Sequence, residues 1–130
     1  MKVRLRHIVV VGFLLAFAQF LIAYMNWYEV YPWADIPMHI FGGFVVGLMW
    51  VWVLQVWKKP VGKVEIMSIL GFVLLGGLAW ELFEIFCWKF LSHYLDFARA
   101  YVPDVVDLTA DLVNDTIGGL LAAFMYWWKS

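Results

Sequence analysis

The chain of 130 residues is 65% hydrophobic, 20% aromatic and only 15% charged, with a mean hydropathy of +0.84. A soluble domain is about 45–50% apolar and about 25% charged, and a small globule keeps too much of its surface wet to bury such an excess, so composition excludes a soluble domain and a disordered chain. A formal charge of −1 leaves no basic field for a nucleic acid, and the single Cys87 excludes a disulfide framework or a CxxC motif.

A transmembrane helix needs about 20 mostly apolar residues. The first such run covers about 8–26 and follows Lys2, Arg4, Arg6 and His7. Ala16-Phe17-Ala18 has the small-residue pattern of a signal-peptidase site, but the apolar run continues through Phe20, Leu21, Ile22, Tyr24 and Met25. That exceeds a signal-peptide core, and the run reads as a span. A break with Pro32 and Pro37 leads into the second run, 37–57, entered by Asp35 and His39, which are one helical turn apart and share a face. The polar stretch Lys58-Lys59-Pro60-Val61-Gly62-Lys63 precedes the third run, 65–90, in which Glu81 and Glu84 share a face with Gly77 one turn earlier. Residues 92–103 mix aromatics with His93, Asp96 and Arg99; a short interfacial helix and an extended loop both suit that pattern.

The last run, 105–128, is led by Asp104 and carries Asp107, Asp111 and Asp115, the four at spacings of three, four and four residues. At 100° per residue these fall in a stripe roughly 80° wide, continued by Gly118, with Asn114 at its edge. Gly118 leaves room there for another backbone or a ligand. Gly12/Ala16, Gly43/Gly47, Gly118/Ala122 and Gly119/Ala123 are small-residue pairs that allow close helix packing.

Short connections make successive helices antiparallel. Seven of the nine Lys and Arg residues then fall at one end, while nine of the ten acids, all but Glu65, fall at the other. The positive-inside rule places the basic end and both termini in the cytoplasm, and tryptophans mark both interfaces. The expected fold is therefore an all-α integral membrane bundle of four antiparallel helices in one domain of the cell membrane, in contact with lipid and open to homo-oligomerisation.

Each charge near the bilayer centre costs about 2.5–3.5 kcal/mol on insertion scales, so the intramembrane acids need a purpose. Asp104 near the interface reads as a helix cap, and so does Asp35 taken alone. The others reach one depth from three helices and point to a shared cavity opening outward. Like charges there raise one another's pKa; bound metal, partial protonation, or water with a cationic ligand would each relieve them. Carboxylates with one imidazole and no thiolate suit Mg²⁺, Mn²⁺, Fe²⁺ or Zn²⁺. His39, Glu81, Glu84, Asp111 and Asp115 are the expected metal ligands, with Asp107 and Asp35 as catalytic base or supporting groups and Asn114 and Gly118 facing substrate; no organic cofactor is expected.

Asp35-Ile-Pro-Met-His39 followed by Phe41-Gly42-Gly43, then Glu81 in a tryptophan-rich helix, then Asp111-Leu-Val-Asn114-Asp115-Thr-Ile-Gly118-Gly119, resembles the VanZ-like small multi-pass membrane proteins. Asp107-Leu-Thr-Ala-Asp111 and Trp80-Glu81-Leu-Phe-Glu84 are also similar to the YjdF-like membrane proteins. The resemblance covers roughly 35–120 and implies a prokaryotic cell-envelope protein. It makes Arg99 a substrate-binding candidate, although Asp115 stands where the VanZ pattern has Asn. Asp107, Asp111 and Asp115 share the aspartate spacing of CDP-alcohol phosphatidyltransferases, but the remainder of that signature is absent. Three functions follow as expectations: a metal-binding membrane protein or enzyme acting on a lipid-linked or lipophilic substrate, a proton- or cation-coupled transporter or channel subunit, and a non-catalytic scaffold.

Overall fold

Apolar runs in lipid fold as helices because only a helix satisfies its own backbone donors and acceptors without water. The computed structural model describes residues 2–91, 93–94 and 104–129, and among them every regular element is helical. The helices are α1 (Leu5–Tyr24), the short α2 (Trp27–Val30), α3 (Asp35–Val56), α4 (Lys63–Phe86) and α5 (Val105–Trp128). A 3₁₀ turn, Pro32–Ala34, leads into α3, and a π-helical turn, Cys87–Leu91, prolongs α4. The segment expected at the outer interface lies outside the described residues except for His93 and Tyr94.

Boundaries follow local chemistry. Helix α3 begins at Asp35, ahead of the apolar run, because an acid in the first turn complements the free N–H groups there. It ends where Lys58 turns left-handed (φ 52°) and the Lys59 N–H reaches back to the Leu54 carbonyl at 3.0 Å. Asp104 caps α5, accepting from the Val106 N–H at 3.0 Å, as the sequence led us to expect. Asp35 does not act as a cap; its carboxyl turns instead toward His39.

Three helical segments, Leu5–Tyr24, Pro32–Val56 and Lys63–Leu91, are long and apolar enough to cross a membrane. Helix α5 has the length of α4 but turns two of its acids and its small residues inward: Asp111, Asp115, Gly118, Gly119 and Ala122 are buried, while Val113, Ile117, Leu120, Leu121 and Phe124 face out.

The tightest packing joins two helices that are not neighbours in sequence, α3 and α5. A Cβ on Gly43 would fall onto the Asp115 carbonyl oxygen, and one on Gly118 onto the Ile40 carbonyl oxygen, so the two backbones touch. Farther along, a Cβ on Gly47 would come within 2.8 Å of the Ala122 methyl group. Positions rise together on both helices, which makes α3 and α5 parallel. Helix α4 runs the other way, Gly77 facing Asp115 and Val73 facing Gly119.

Toward the lysine-rich end the bundle closes on an apolar core of Val51, Leu54, Ile69, Val73, Ala123 and Tyr126. There the Tyr126 hydroxyl donates to the Lys59 carbonyl at 3.0 Å, and the Trp50 indole N–H donates to Ser68 Oγ at 2.9 Å. Helix α1 stands at the edge, with Ile8 its one buried residue. The residues just ahead of it are tied to the end of α3 by the Val3 N–H donating to Gln55 Oε1 at 3.0 Å.

The glycine crossing makes an immediate prediction. Gly118→Ala overpacks a backbone contact and should cost about 3 kcal/mol, whereas Gly71→Ala, whose added Cβ meets nothing within 4 Å, should be neutral or gain up to about 1 kcal/mol of helix propensity. Thermal unfolding in detergent reads both; equal melting temperatures would refute the close crossing.

Candidate functional site

The glycine crossing sets α3 and α5 close enough for one imidazole to reach two turns of α5. His39 is 7% exposed, Asp111 3% and Asp115 5%. Asp111 and Asp115, one turn apart, bracket the ring: His39 Nδ1 lies 3.0 Å from Asp115 Oδ1, and Nε2 lies 3.4 Å from Asp111 Oδ1. Asp35, one turn before His39 on α3, approaches the same Nε2 at 3.5 Å. One face of the ring edge therefore meets a single carboxylate at hydrogen-bond distance, and the other meets two carboxylates at distances long for a hydrogen bond.

His39 Nδ1 and Asp115 Oδ1 stand at hydrogen-bond distance, 3.0 Å, and in the tautomer with the proton on Nδ1 the carboxylate accepts. Nε2 then has two chemical states. In the imidazolium it carries a proton toward Asp35 and Asp111; in the neutral ring it offers a lone pair to whatever those two oxygens hold. Ligand atoms of Asp35, His39 and Asp111 all lie within 4.8 Å of one another, a separation that one metal ion can bridge.

Asp115 has a second feature. Its Oδ2 is buried without a hydrogen-bond partner among the described residues, and it points at Gly77, where a Cβ would collide with it. Glycine at this position lets α4 close over a carboxylate.

Two adjoining cavities flank the cluster. One of about 270 Å³ touches His39, Asp115, Gly42, Gly76 and Gly77. The other, about 630 Å³, is bordered by Asp35, Asp107, Asp111 and Glu84, by Tyr28, and by the rings of Phe20 and Phe83. The Tyr28 hydroxyl donates to Gln19 Oε1, tying α2 to α1 at the mouth of this cavity. Burial, and the charge of Asp35 nearby, push the Tyr28 phenol above its ordinary range, so it remains a neutral donor.

The family model described as predicted membrane protein (DUF2238) matches residues 1–130. The chain belongs to the DUF2238 family. No curated protein and no solved structure matches it significantly.

In this DUF2238 protein His39, Asp111 and Asp115 come together as the sequence pattern implies, and Asp35 joins them. Glu81 is buried at 2% exposure on α4, one turn beyond Gly77, outside the Asp35–His39–Asp111 triad. Glu84 and Asp107 border the larger cavity. The space beside Gly118 is filled by the α3 backbone. Asn114 is half-buried on α5, and Arg99 lies outside the described residues. Sequence reasoning passed over Gln19 and Tyr28. Gln19 was findable, as the one amide in the interior of the first apolar run; Tyr28 sits in a polar break where nothing in the pattern separates it from other interfacial aromatics.

Removing the imidazole leaves three carboxylates facing one another. His39→Leu should therefore cost about 3–5 kcal/mol, while Asp107→Asn at the exposed cavity rim should stay within about 0.5 kcal/mol. Melting temperatures in detergent test the contrast, and a wild-type-like His39→Leu protein would remove His39 from any structural role.

Proposed function

We propose that this integral membrane protein holds a divalent metal ion between Asp35, His39 and Asp111 and uses it on a lipid-linked or lipophilic substrate lodged in the larger cavity. The observation that carries the reading is the two-sided use of the imidazole. Asp115 accepts from Nδ1, which fixes the ring and turns the Nε2 lone pair toward Asp35 and Asp111. A carboxylate behind a histidine whose other nitrogen meets further carboxylates is the usual support of a metal ligand. Relative to the ligand set expected from sequence, Asp35 enters and Asp115 becomes the orienting group, with Glu81 and Glu84 outside the set.

An oxygen-rich, one-imidazole donor set suits Mg²⁺, Mn²⁺, Fe²⁺ or Zn²⁺. A bound ion would supply a Lewis acid at the wall of the cavity. The chain's own residues do the remainder: Asp115 holds His39 in register, Asp107 and Glu84 border the space where a head group sits, and the aromatic and alanine walls exclude water. The apolar core between this cluster and the lysine-rich end favours a resident site over a conduction path, because among the described residues it contains no acid or histidine to pass an ion along.

The reading places α5 as a fourth span and the cluster in the outer half of the membrane, with both termini cytoplasmic, since Lys2, Arg4, Lys58, Lys59, Lys63 and Lys129 gather at the opposite end. The order Asp35/His39, Glu81, Asp111 resembles the VanZ-like pattern, and Asp107/Asp111 with Glu81/Glu84 the YjdF-like one; a cell-envelope setting agrees with both.

Metal analysis of purified protein is the test. Wild type should hold close to one divalent ion per chain; Asp35→Asn, His39→Gln and Asp111→Asn should lose it, Asp115→Asn should weaken binding by about 10–100-fold, and Glu81→Gln should retain it. Metal content unchanged in Asp111→Asn would sink the proposal. Independently, a reporter active only in the cytoplasm should work at either terminus, and activity at one end only would overturn the four-span topology.

A further inference from the structure

The stretch that joins α1 to α3 is held to the bundle by very little. From Tyr24 to Trp33 every residue is exposed except Tyr28, which is half-buried. The main-chain hydrogen bonds of this stretch are local, from the Glu29 N–H to the Asn26 carbonyl, from Tyr31 to Trp27 and from Ala34 to Tyr31. Its ring contacts are local too: Trp27 meets Tyr31 edge-on with centroids 6.0 Å apart, and Tyr31 meets Trp33 at 6.1 Å. Residues 27–33 are therefore stitched to one another far more than to their surroundings.

Tyr28 is the exception. It bends back along the helix it follows, and its hydroxyl donates to Gln19 Oε1. Gln19 stands five residues before the end of α1 at Tyr24, about 7.5 Å at 1.5 Å per residue. The phenol thereby enters the wall of the larger cavity, which Pro32 of the same stretch also lines. The turn between α1 and α2 is a single residue in the left-handed region, Asn26 (φ 56°), a conformation that asparagine adopts more readily than most residues. At the far end Ala34 is buried and anchors the start of α3.

We propose that residues 27–33 form a lid on the larger cavity, hinged at Asn26 and latched by the Tyr28–Gln19 hydrogen bond, and that the structure is its closed state. Breaking that bond frees the stretch to swing as one piece and withdraws the phenol from the cavity. The opening lies at the acidic end of the bundle, where Trp27, Tyr31 and Trp33 are exposed in the manner of interfacial aromatics. Gln19 lines both cavities, so the latch also stands where the larger space leads to the smaller one beside His39 and Asp115. The lid adds regulation to the cavity of the metal-site reading and rests on that reading for what the cavity receives, not for its own motion.

The chain carries its own reporter, because Cys87, its single cysteine, is half-buried in the wall of the same cavity. In full-length protein in nanodiscs, a lipid-impermeant cationic methanethiosulfonate should label this thiol more slowly than in denatured protein. Tyr28→Phe, which keeps the ring and removes the latch, and Gln19→Leu should each speed labelling about three- to ten-fold, the bias that one ordinary hydrogen bond supplies, with melting temperatures close to wild type. The double variant should be no faster than either single one. Tyr31→Phe, exposed on the same stretch and outside the cavity lining, should label at the wild-type rate. Tyr28→Phe labelling at the wild-type rate, wild type labelling as fast as denatured protein, or faster labelling that comes with a steep fall in melting temperature overturns the proposal. The assay needs neither metal nor substrate, so a failed lid leaves the metal analysis standing, and a protein without metal leaves the labelling rates to be read as they are.

Discussion

The buried cluster of His39 with Asp111 and Asp115 depends on the contact between the backbones of α3 and α5. Gly43 and Gly118 have no room for a methyl group, because each faces a main-chain carbonyl of the other helix. Only at that separation does a ring rooted at position 39 of α3 reach carboxyls at 111 and 115 on α5. In lipid there is no hydrophobic gain from bringing helices together, so packing and interhelical hydrogen bonds supply the attraction. Here the two are linked: small residues set the distance, and the distance creates the His39–Asp115 hydrogen bond.

That coupling explains the inverted design of α5. In a water-soluble helix Asp111 and Asp115 would face out and Leu120, Leu121 and Phe124 in. With α5 as the proposed fourth span, a bilayer would reverse that preference, and burying acids that would cost about 2.5–3.5 kcal/mol each in lipid is offset by the imidazole between them. The same logic divides the bundle lengthwise. Toward the lysine-rich end, Val51, Ile69 and Val73 fill the interior completely, and the buried polar groups there, such as Tyr126, end on main-chain carbonyls. At the other end the interior is acids, glycine and open volume. A protein that needed only cohesion would have continued the first pattern.

The helices and their acidic faces could be read from sequence because hydropathy and the 3.6-residue period are local properties. The stripe Asp107, Asp111, Asp115 and the pairs Asp35/His39 and Glu81/Glu84 were visible for that reason, as were the small-residue pairs at Gly43 and Gly118. Long-range pairing was not. Nothing in the sequence distinguishes α3–α5 from α3–α4 as the intimate contact, and short loops argue for sequence neighbours. Nor could spacing tell on which side of the ring each aspartate would stand. Asp35, taken alone, reads as a cap; only the approach of α5 turns it into a partner of Nε2. Asp115, the deepest acid, looks like the best ligand by depth and yet takes up the opposite nitrogen.

Helix α1 supplies the remaining step. Beyond Arg6 and His7 in its first turn it is apolar but for Gln19 and Tyr24, and it buries only Ile8, so it contributes little to the core. It is held near its two ends, by Val3 on Gln55 and by Gln19 on Tyr28, with a groove and not a packed seam along its α4 side. Few buried contacts mean low local stability. A wall of that kind is poorly suited to sealing a core and well suited to bounding a cavity that a molecule enters from lipid. The position of Gln19 fits the same purpose: an isolated amide in an apolar helix is expensive unless it is paired, and its partner, Tyr28, stands at the mouth of the cavity beside Asp35. The tether that positions α1 therefore lies at the acid-lined cavity, and the apolar length of the helix bounds the space beyond it.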